Sequence, residues 1–256
     1  IPALRDFFDD ALNYTVSDLS GNSSSVSFSV QSVDFNVQVN LTSKEEKDIT
    51  FMPFDQKNTL LRPNLLMSIP KGALYDDVYF EYDKTEGTSK TVSPIYWLHS
   101  HYTPMHKYMT VSIRAKNLTQ KQKRKALIVS TIDKRSWYAE GGSWNGENIS
   151  VKTRSLGGYA IALDTIAPRI TPINIYNKAN MAGKWSITVK ITDNLAGIGS
   201  YRGTVDSKWV LMAYDAKNDK LSYYFDEQVG KGEHTFRLEL IDEVGNKSVY
   251  ETDFVR

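Results

Sequence analysis

The chain has 256 residues and a formal net charge of +1, with 31 Lys and Arg against 30 Asp and Glu. Hydrophobic residues make up 41% of the chain and aromatic residues 12%, enough to build packed cores. The balanced charge argues against nucleic-acid binding, and the lack of cysteine excludes disulfides, thiolate metal sites and a Cys nucleophile. No apolar run approaches the roughly 20 residues of a membrane helix, so we expect no membrane span.

The first predicted strands flank a turn that recurs near the end of the chain. YTVSDLSGNSSSVSFSV (14–30) and LELIDEVGNKSVYETDFV (238–255) both place Asp-x-x-Gly-Asn-x-Ser between alternating strands. The Asp of each copy, Asp18 or Asp242, can accept turn N–H groups, and Gly and Asn tolerate positive φ. A Ca²⁺ site could use such an Asp, but one carboxylate per turn supplies too few oxygens. Turn hydrogen bonding is therefore the favoured prediction.

Period-two alternation dominates the chain, and helical patterns are scarce, so the predicted fold class is all-β, with tandem immunoglobulin-like β-sandwich domains. Residues 1–30 are too few for a sandwich, and we expect the terminal strands of an incomplete immunoglobulin-like domain or strands that join a neighbouring sheet. Residues 31–163 are predicted to form an irregular β-sandwich middle domain. Pro168 and Pro172 mark a boundary, after which residues 164–256 are predicted to form an immunoglobulin-like sandwich.

Three of the four histidines, His99, His101 and His106, lie in WLHSHYTPMHKY (97–108). On a strand, His99 and His101 would share a face, and a turn could bring His106 back to them. Three His ligands and a water would suit a catalytic zinc. However, the segment from Val92 to Arg114 contains no Asp or Glu to orient a ligand or act as a general base. We therefore favour polar residues at a strand end, with a His-based metal-dependent hydrolase as the weaker alternative.

Aromatic residues flank two glycines in SWYAEGGSWNGE (136–147). Exposed on a loop, Trp137, Tyr138 and Trp144 could stack on sugars or contact a partner. Buried, the same side chains would pack a core or anchor a hairpin, which is the commoner role of Trp and Tyr.

Long stretches of the chain resemble a known arrangement. LGGYAIALDTIAPRITP (156–172), ITDNLAGIGSYRGTVDSKWVLMAYDAKNDKL (191–221) and GEHTFRLELIDEVGNKS (232–248) resemble the C-terminal, non-catalytic β-sandwich region of secreted M23-type (lysostaphin-like) metallopeptidases of Bacteroidetes. In the middle region, IPKGAL (69–74) followed by SPIYWL (93–98) is also similar to ZU5-type β-sandwiches.

The resemblance implies an accessory region of such an enzyme, whose catalytic domain would bind zinc through a His and Asp pair and a later His-x-His. No histidine precedes His99, so none of those ligands can be assigned here, and we expect no catalytic residue and no cofactor in this chain. The expected location is extracytoplasmic, in the periplasm or at the surface of a Gram-negative bacterium. The expected partner is a catalytic domain in cis, another cell-envelope protein or a polysaccharide, and the alternative is a stand-alone adhesion or glycan-binding protein.

Overall fold

A computed structural model describes residues 9–31 and 48–256 of the chain. Contacts divide the chain into one unit of residues 1–45 and another of residues 46–256, and each unit is described by itself. Residues 1–8 and the first part of the predicted middle domain, up to residue 47, lie outside the described residues. The described secondary structure is almost entirely β, which confirms the predicted all-β class.

The first unit contains one hairpin, formed by β1 (Asp9–Ser17) and β2 (Ser23–Gln31). The strands pair antiparallel up to Ser17 opposite Ser23, so the turn lies between these two residues. Asp18 Oδ1 accepts the backbone N–H groups of Ser20 and Asn22, both at 2.9 Å, as predicted for this turn. The Tyr14 and Phe28 rings stack with their centroids 5.9 Å apart.

The second unit begins with a sandwich of two sheets and one helix. Its strands are β3 (Asp48–Met52), β4 (Asn58–Arg62), β5 (Leu65–Ile69), β6 (Val78–Thr85), β7 (Ile95–Leu98), β8 (Met109–Arg114), β9 (Ala126–Thr131), β10 (Tyr138–Gly141), β11 (Ser143–Asn145), β12 (Asn148–Thr153) and β13 (Gly157–Leu163). The helix is α1 (Gln120–Lys123), capped by Thr119. In the described ranges, no helix is long and apolar enough to cross a membrane.

The two sheets of this first sandwich face each other across a continuous core. The strand orders are β10-β9-β13-β7-β6-β3 and β11-β12-β8-β5-β4. Alternation sets the inward face: in β8, Met109, Val111 and Ile113 are buried, while the intervening side chains are not. They pack with fully buried side chains of the opposite sheet, including Phe80 and Tyr159. Each such side chain contributes about 1.5–3 kcal/mol of transfer free energy.

A second sandwich follows residue 164. Its strands are β14 (Arg169–Pro172), β15 (Ala179–Asn180), β16 (Ser186–Thr192), β17 (Ile198–Val205), β18 (Lys208–Val210), β19 (Ala213–Asp215), β20 (Lys220–Tyr224), β21 (Glu233–Asp242) and β22 (Lys247–Val255). The sheet orders are β14-β16-β20-β19 and β15-β22-β21-β17-β18. The long hairpin of β21 and β22 supplies Phe236, Leu238 and Leu240 to a core that is separate from the first one.

The turn between β21 and β22 has the same hydrogen bonds as the turn between β1 and β2. Asp242 Oδ1 accepts the N–H groups of Val244 at 3.0 Å and Asn246 at 2.7 Å. The glycines of both copies have positive φ, 84° for Gly21 and 77° for Gly245. The repeated sequence therefore folds into the same local structure twice.

Candidate functional site

A buried apolar junction joins the two sandwiches, in addition to the core of each sandwich. Strands β7, β9 and β13 are buried on both faces, because the second sandwich covers the outer face of the six-stranded sheet there. A third apolar cluster results, in which Ala196, Leu195 and Val244 of the second sandwich pack on the first one. The first sandwich contributes Ile95, Trp97, Leu127, Val129, Trp137, Ala160 and Ala162.

Alternation along β9 and β13 explains this junction. In β9, Ile128 belongs to the inner core, while Leu127 and Val129 belong to the junction. In β13, Tyr159 and Ile161 point to the inner core, while Ala160 and Ala162 face the second sandwich. The runs ALIV (126–129) and YAIAL (159–163) are continuously apolar, which is typical of strands buried on two faces. This signal was available in the sequence.

A glycine allows a tryptophan to lie across the junction side of β13. Gly158 pairs with Trp97, and a Cβ at position 158 would be 2.9 Å from the Trp97 ring. The Trp97 indole N–H donates to Thr85 Oγ1 at 3.0 Å, which fixes the ring.

Hydrogen bonds supplement the apolar contacts between the two sandwiches. Lys125 Nζ donates to the Val244 carbonyl at 2.9 Å, and Asn246 Nδ2 donates to the Asp164 carbonyl at 3.0 Å. The Ala196 N–H donates to Asp164 Oδ2 at 2.8 Å. These hydrogen bonds join the segment that begins at Asp164 and connects the two sandwiches to two turns of the second sandwich.

Three carboxylates converge at the junction between the two sandwiches, and their convergence was not predicted from the sequence. Asp164, Asp193 and Asp242 each offer one oxygen, and these three oxygens all lie within 4.8 Å of one another. Asp164 and Asp242 are buried, and Asp193 is half-buried. Asp164 and Asp193 directly follow strands, in IALD (161–164) and KITD (190–193), and Asp242 is the last residue of a strand, in LELID (238–242). Each turn supplies one carboxylate, and the sequence does not show that residues of separate turns come together in the fold.

An open cleft of about 300 Å³ lies beside the junction. It is lined by Trp137, Val129, Ala162 and Leu163 of the first sandwich, by Lys90, and by Asn194 and Leu195 of the second. An apolar wall with a few polar groups is the usual composition of a small-molecule site.

Comparison with family models finds a similarity for the first sandwich. Residues 49–164 match the Zu5-like domain. The similarity to ZU5-type sandwiches that IPKGAL and SPIYWL indicated is therefore confirmed. The match ends at Asp164, where the connection to the second sandwich begins. Comparison with curated proteins gives no match.

The three histidines of the first sandwich have different neighbours. Strand β7 ends at Leu98 and His99 has φ 59°, so His99 and His101 do not share a strand face, the arrangement that the weaker zinc alternative required. His99 Nδ1 accepts the Glu81 N–H at 3.1 Å, and its ring stacks on Phe80. Burial lowers the pKa of His99 below its ordinary value.

The other two imidazoles are exposed. The His101 ring contacts Tyr102, and the His106 ring meets the edge of Tyr75, while the His106 backbone N–H donates to the Ala73 carbonyl. Among the residues that the structure describes, the group of three or more potential metal ligands that come together is the carboxylate cluster, and the histidines form no such group.

The aromatic candidates of the first sandwich separate in the same way. Trp137 is half-buried against the junction cluster, and its indole N–H donates to the Lys134 carbonyl at 3.2 Å. Trp144 is half-buried against the core of the domain, donates to the Lys123 carbonyl at 3.0 Å and lies under the Lys123 ammonium. Tyr138 is exposed. The two indoles therefore belong to different surfaces.

Proposed function

We propose that this chain is a non-catalytic accessory and positioning region of an extracytoplasmic M23-like cell-wall peptidase, acting as a scaffold or interaction module. In this role it holds a separate catalytic domain, which carries the zinc, at a fixed position relative to the cell envelope. Its partner is that domain in cis, another envelope protein or an envelope polysaccharide, in the periplasm or at the surface of a Gram-negative bacterium.

The buried junction carries this proposal. Domains within one chain move relative to each other by default, unless their interface is large and hydrophobic. Here Leu127, Val129, Ala160 and Ala162 are at most 2% exposed, and Ala196 of the second sandwich packs on them. A rigid pair of sandwiches can transmit a position, and the similarity to the accessory region of M23-type enzymes supports the same role.

Rigidity can be measured by the distance between spin labels on the two sandwiches. The chain has no cysteine, so Thr59→Cys in β4 and Lys208→Cys in β18, both exposed, place two labels uniquely. We expect one narrow distance distribution. Leu195→Ser removes an apolar contact of the junction and leaves both inner cores intact, so it should broaden the distribution. A broad distribution in the unmodified background would contradict a positioning role.

The peptidase assignment requires a test on the parent enzyme. The gene region upstream of Ile1 is expected to encode the zinc-binding His and Asp pair and the His-x-His. In that enzyme, Leu195→Ser should leave the hydrolysis of a soluble peptide unchanged and lower the hydrolysis of intact cell wall. An upstream region without those ligands, or equal activity of both enzymes on cell wall, would refute the proposal.

Glycan binding is a second candidate because Trp137 lines the cleft beside the junction together with Lys90 and Asn194. A sugar ring can stack on an indole while its hydroxyls bind polar groups. Binding to a glycan array should then be lost in Trp137→Ala and retained in Trp144→Ala, because Trp144 packs on a different core. Equal loss in the two variants, or no binding by the unmodified chain, would count against this function.

A further inference from the structure

The carboxylate cluster at the junction combines burial with like charge. Asp164 is 1% exposed and Asp242 is 3% exposed. One oxygen from each of these residues and one from Asp193 lie within 4.8 Å of one another. Negative charges this close together in a place shielded from water repel one another, and a cation between them would offset that repulsion.

Backbone N–H groups hold the three carboxylates in place without neutralising them. Asp193 Oδ2 accepts from Leu195 at 3.0 Å and from Gly197 at 2.8 Å. Asp164 accepts the Ile166 N–H at 3.1 Å and the Ala196 N–H at 2.8 Å. Asp242 accepts the turn N–H groups of Val244 and Asn246. None of the ion pairs within residues 9–31 and 48–256 includes Asp164, Asp193 or Asp242. Lys125 comes to the same turn, but its Nζ bonds the Val244 carbonyl.

One oxygen of the cluster has no partner. Asp193 Oδ1 is buried, and the described protein atoms give it no hydrogen bond. A buried ionised oxygen without a donor is costly, by more than a neutral group would be. This orphaned atom is an observation separate from the crowding of the carboxylates, and it indicates that a ligand with positive charge belongs here.

We propose that Asp164, Asp193 and Asp242 bind a Ca²⁺ ion that joins the Zu5-like domain to the second sandwich. The donors are all oxygens, which suits a hard cation, and no His nitrogen joins them in the cluster. Ca²⁺ accepts irregular carboxylate-rich coordination, whereas Mg²⁺ demands near-ideal octahedral geometry and usually keeps several waters. This proposal departs from the sequence-based expectation of no cofactor and no metal in this chain, which counted one carboxylate per turn.

The three ligands come from different parts of the junction. Asp164 begins the connection after β13, Asp193 follows β16, and Asp242 ends β21. The ion therefore ties the connection to two turns of the second sandwich, beside the apolar cluster that Ala196 and Val244 complete. The inference goes beyond the proposed function, because ion binding can be measured whether or not the chain positions a peptidase.

Calorimetric titration of the EDTA-treated chain with CaCl₂ tests the proposal directly. Extracellular Ca²⁺ modules bind with Kd of about 10⁻⁴–10⁻³ M, so the titration should extend to about 10 mM. We expect one ion per chain, weaker binding of Mg²⁺, and a Tm that rises with Ca²⁺ and falls back with EDTA. In hydrogen exchange, Ca²⁺ should slow the Ala196 N–H, which bonds Asp164 Oδ2. No heat and no Tm shift, or tighter binding of Mg²⁺, would overturn the proposal.

Asp193→Asn is the decisive variant, because an amide oxygen can still accept the Leu195 and Gly197 N–H groups while an NH₂ replaces the orphaned oxygen. Affinity for Ca²⁺ should fall at least about tenfold. The matched control is Asp215→Asn, since Asp215 accepts two backbone N–H groups in an exposed turn away from this cluster. Its affinity should equal that of the unmodified chain. Retained affinity in Asp193→Asn would refute the site, as would a more stable Asp193→Asn in a chain that gains nothing from Ca²⁺.

Discussion

The two Asp-x-x-Gly-Asn turns share their local structure and differ in their surroundings. In the β1–β2 turn, Asp18 is exposed, and the hydrogen bond from the Asn22 side chain is the main cause that holds its pKa below the ordinary value. In the β21–β22 turn, Asp242 makes the equivalent bonds but is buried beside two further carboxylates. Asn246, which occupies the position equivalent to Asn22, additionally donates to the Asp164 carbonyl.

This difference separates what a turn sequence encodes from what its place in the fold adds. The residues of each copy suffice for the backbone conformation, because the Asp, Gly and Asn satisfy one another within five positions. The neighbouring charges and the proposed ion site come from Asp164 and Asp193, which are distant in sequence from Asp242. The same motif is therefore a structural turn at one end of the chain and part of a charged cluster near the other.

The largest expected difference between the two turns comes from removing the Asp of each turn in a separate variant. Asp242→Ala leaves the N–H groups of Val244 and Asn246 without their acceptor in a partly buried turn, so we expect a loss of about 3 kcal/mol in the free energy of unfolding. Urea denaturation followed by tryptophan fluorescence measures this, because all five Trp residues lie between positions 97 and 209.

Asp18→Ala is the matched control for that experiment. It removes the same bonds from an exposed turn, where water replaces them, so the fluorescence-detected transition should not change. Equal losses in the two variants would mean that the surroundings of Asp242 add nothing to the local turn.

The sequence predicts features that depend on neighbouring residues better than features that depend on how distant segments pack. Alternation predicted the all-β fold and the strand on each side of both turns, because these depend on neighbouring residues. The shared strand face of His99 and His101, on which the weaker zinc alternative depended, does not form, because β7 ends at Leu98 and His99 has a left-handed φ. The carboxylate cluster could not be predicted, because it depends on how the second sandwich covers β9 and β13.

An intermediate and equal effect is expected from the two glycines. Gly21 and Gly245 have φ of 84° and 77°, and an added Cβ would have no heavy atom closer than 3.9 Å at either position. Alanine in this region of φ costs about 1 kcal/mol, wherever the turn lies. Native-state hydrogen exchange at the Asp18 and Asp242 N–H groups, each bonded across its turn, should show the same loss of protection in Gly21→Ala and Gly245→Ala. A much larger loss in Gly245→Ala would show that tertiary contacts also constrain the backbone.

The smallest effect concerns His99, whose surroundings also differ from those of its neighbours in the chain. Burial against Phe80 lowers the pKa of His99 below about 6.5, the value of an exposed histidine. The unfolded chain then binds more protons than the folded chain between the two pKa values. This residue therefore favours folding above about pH 6.5 and costs stability as the pH falls below that value.

An NMR titration of the His99 imidazole measures the shift of its pKa directly. Phe80→Leu, which keeps an apolar side chain but removes the stacked ring, should raise the pKa of His99 towards its ordinary value. A pKa above about 6.5 in the unmodified chain would instead mean that the nearby Glu81 charge outweighs burial.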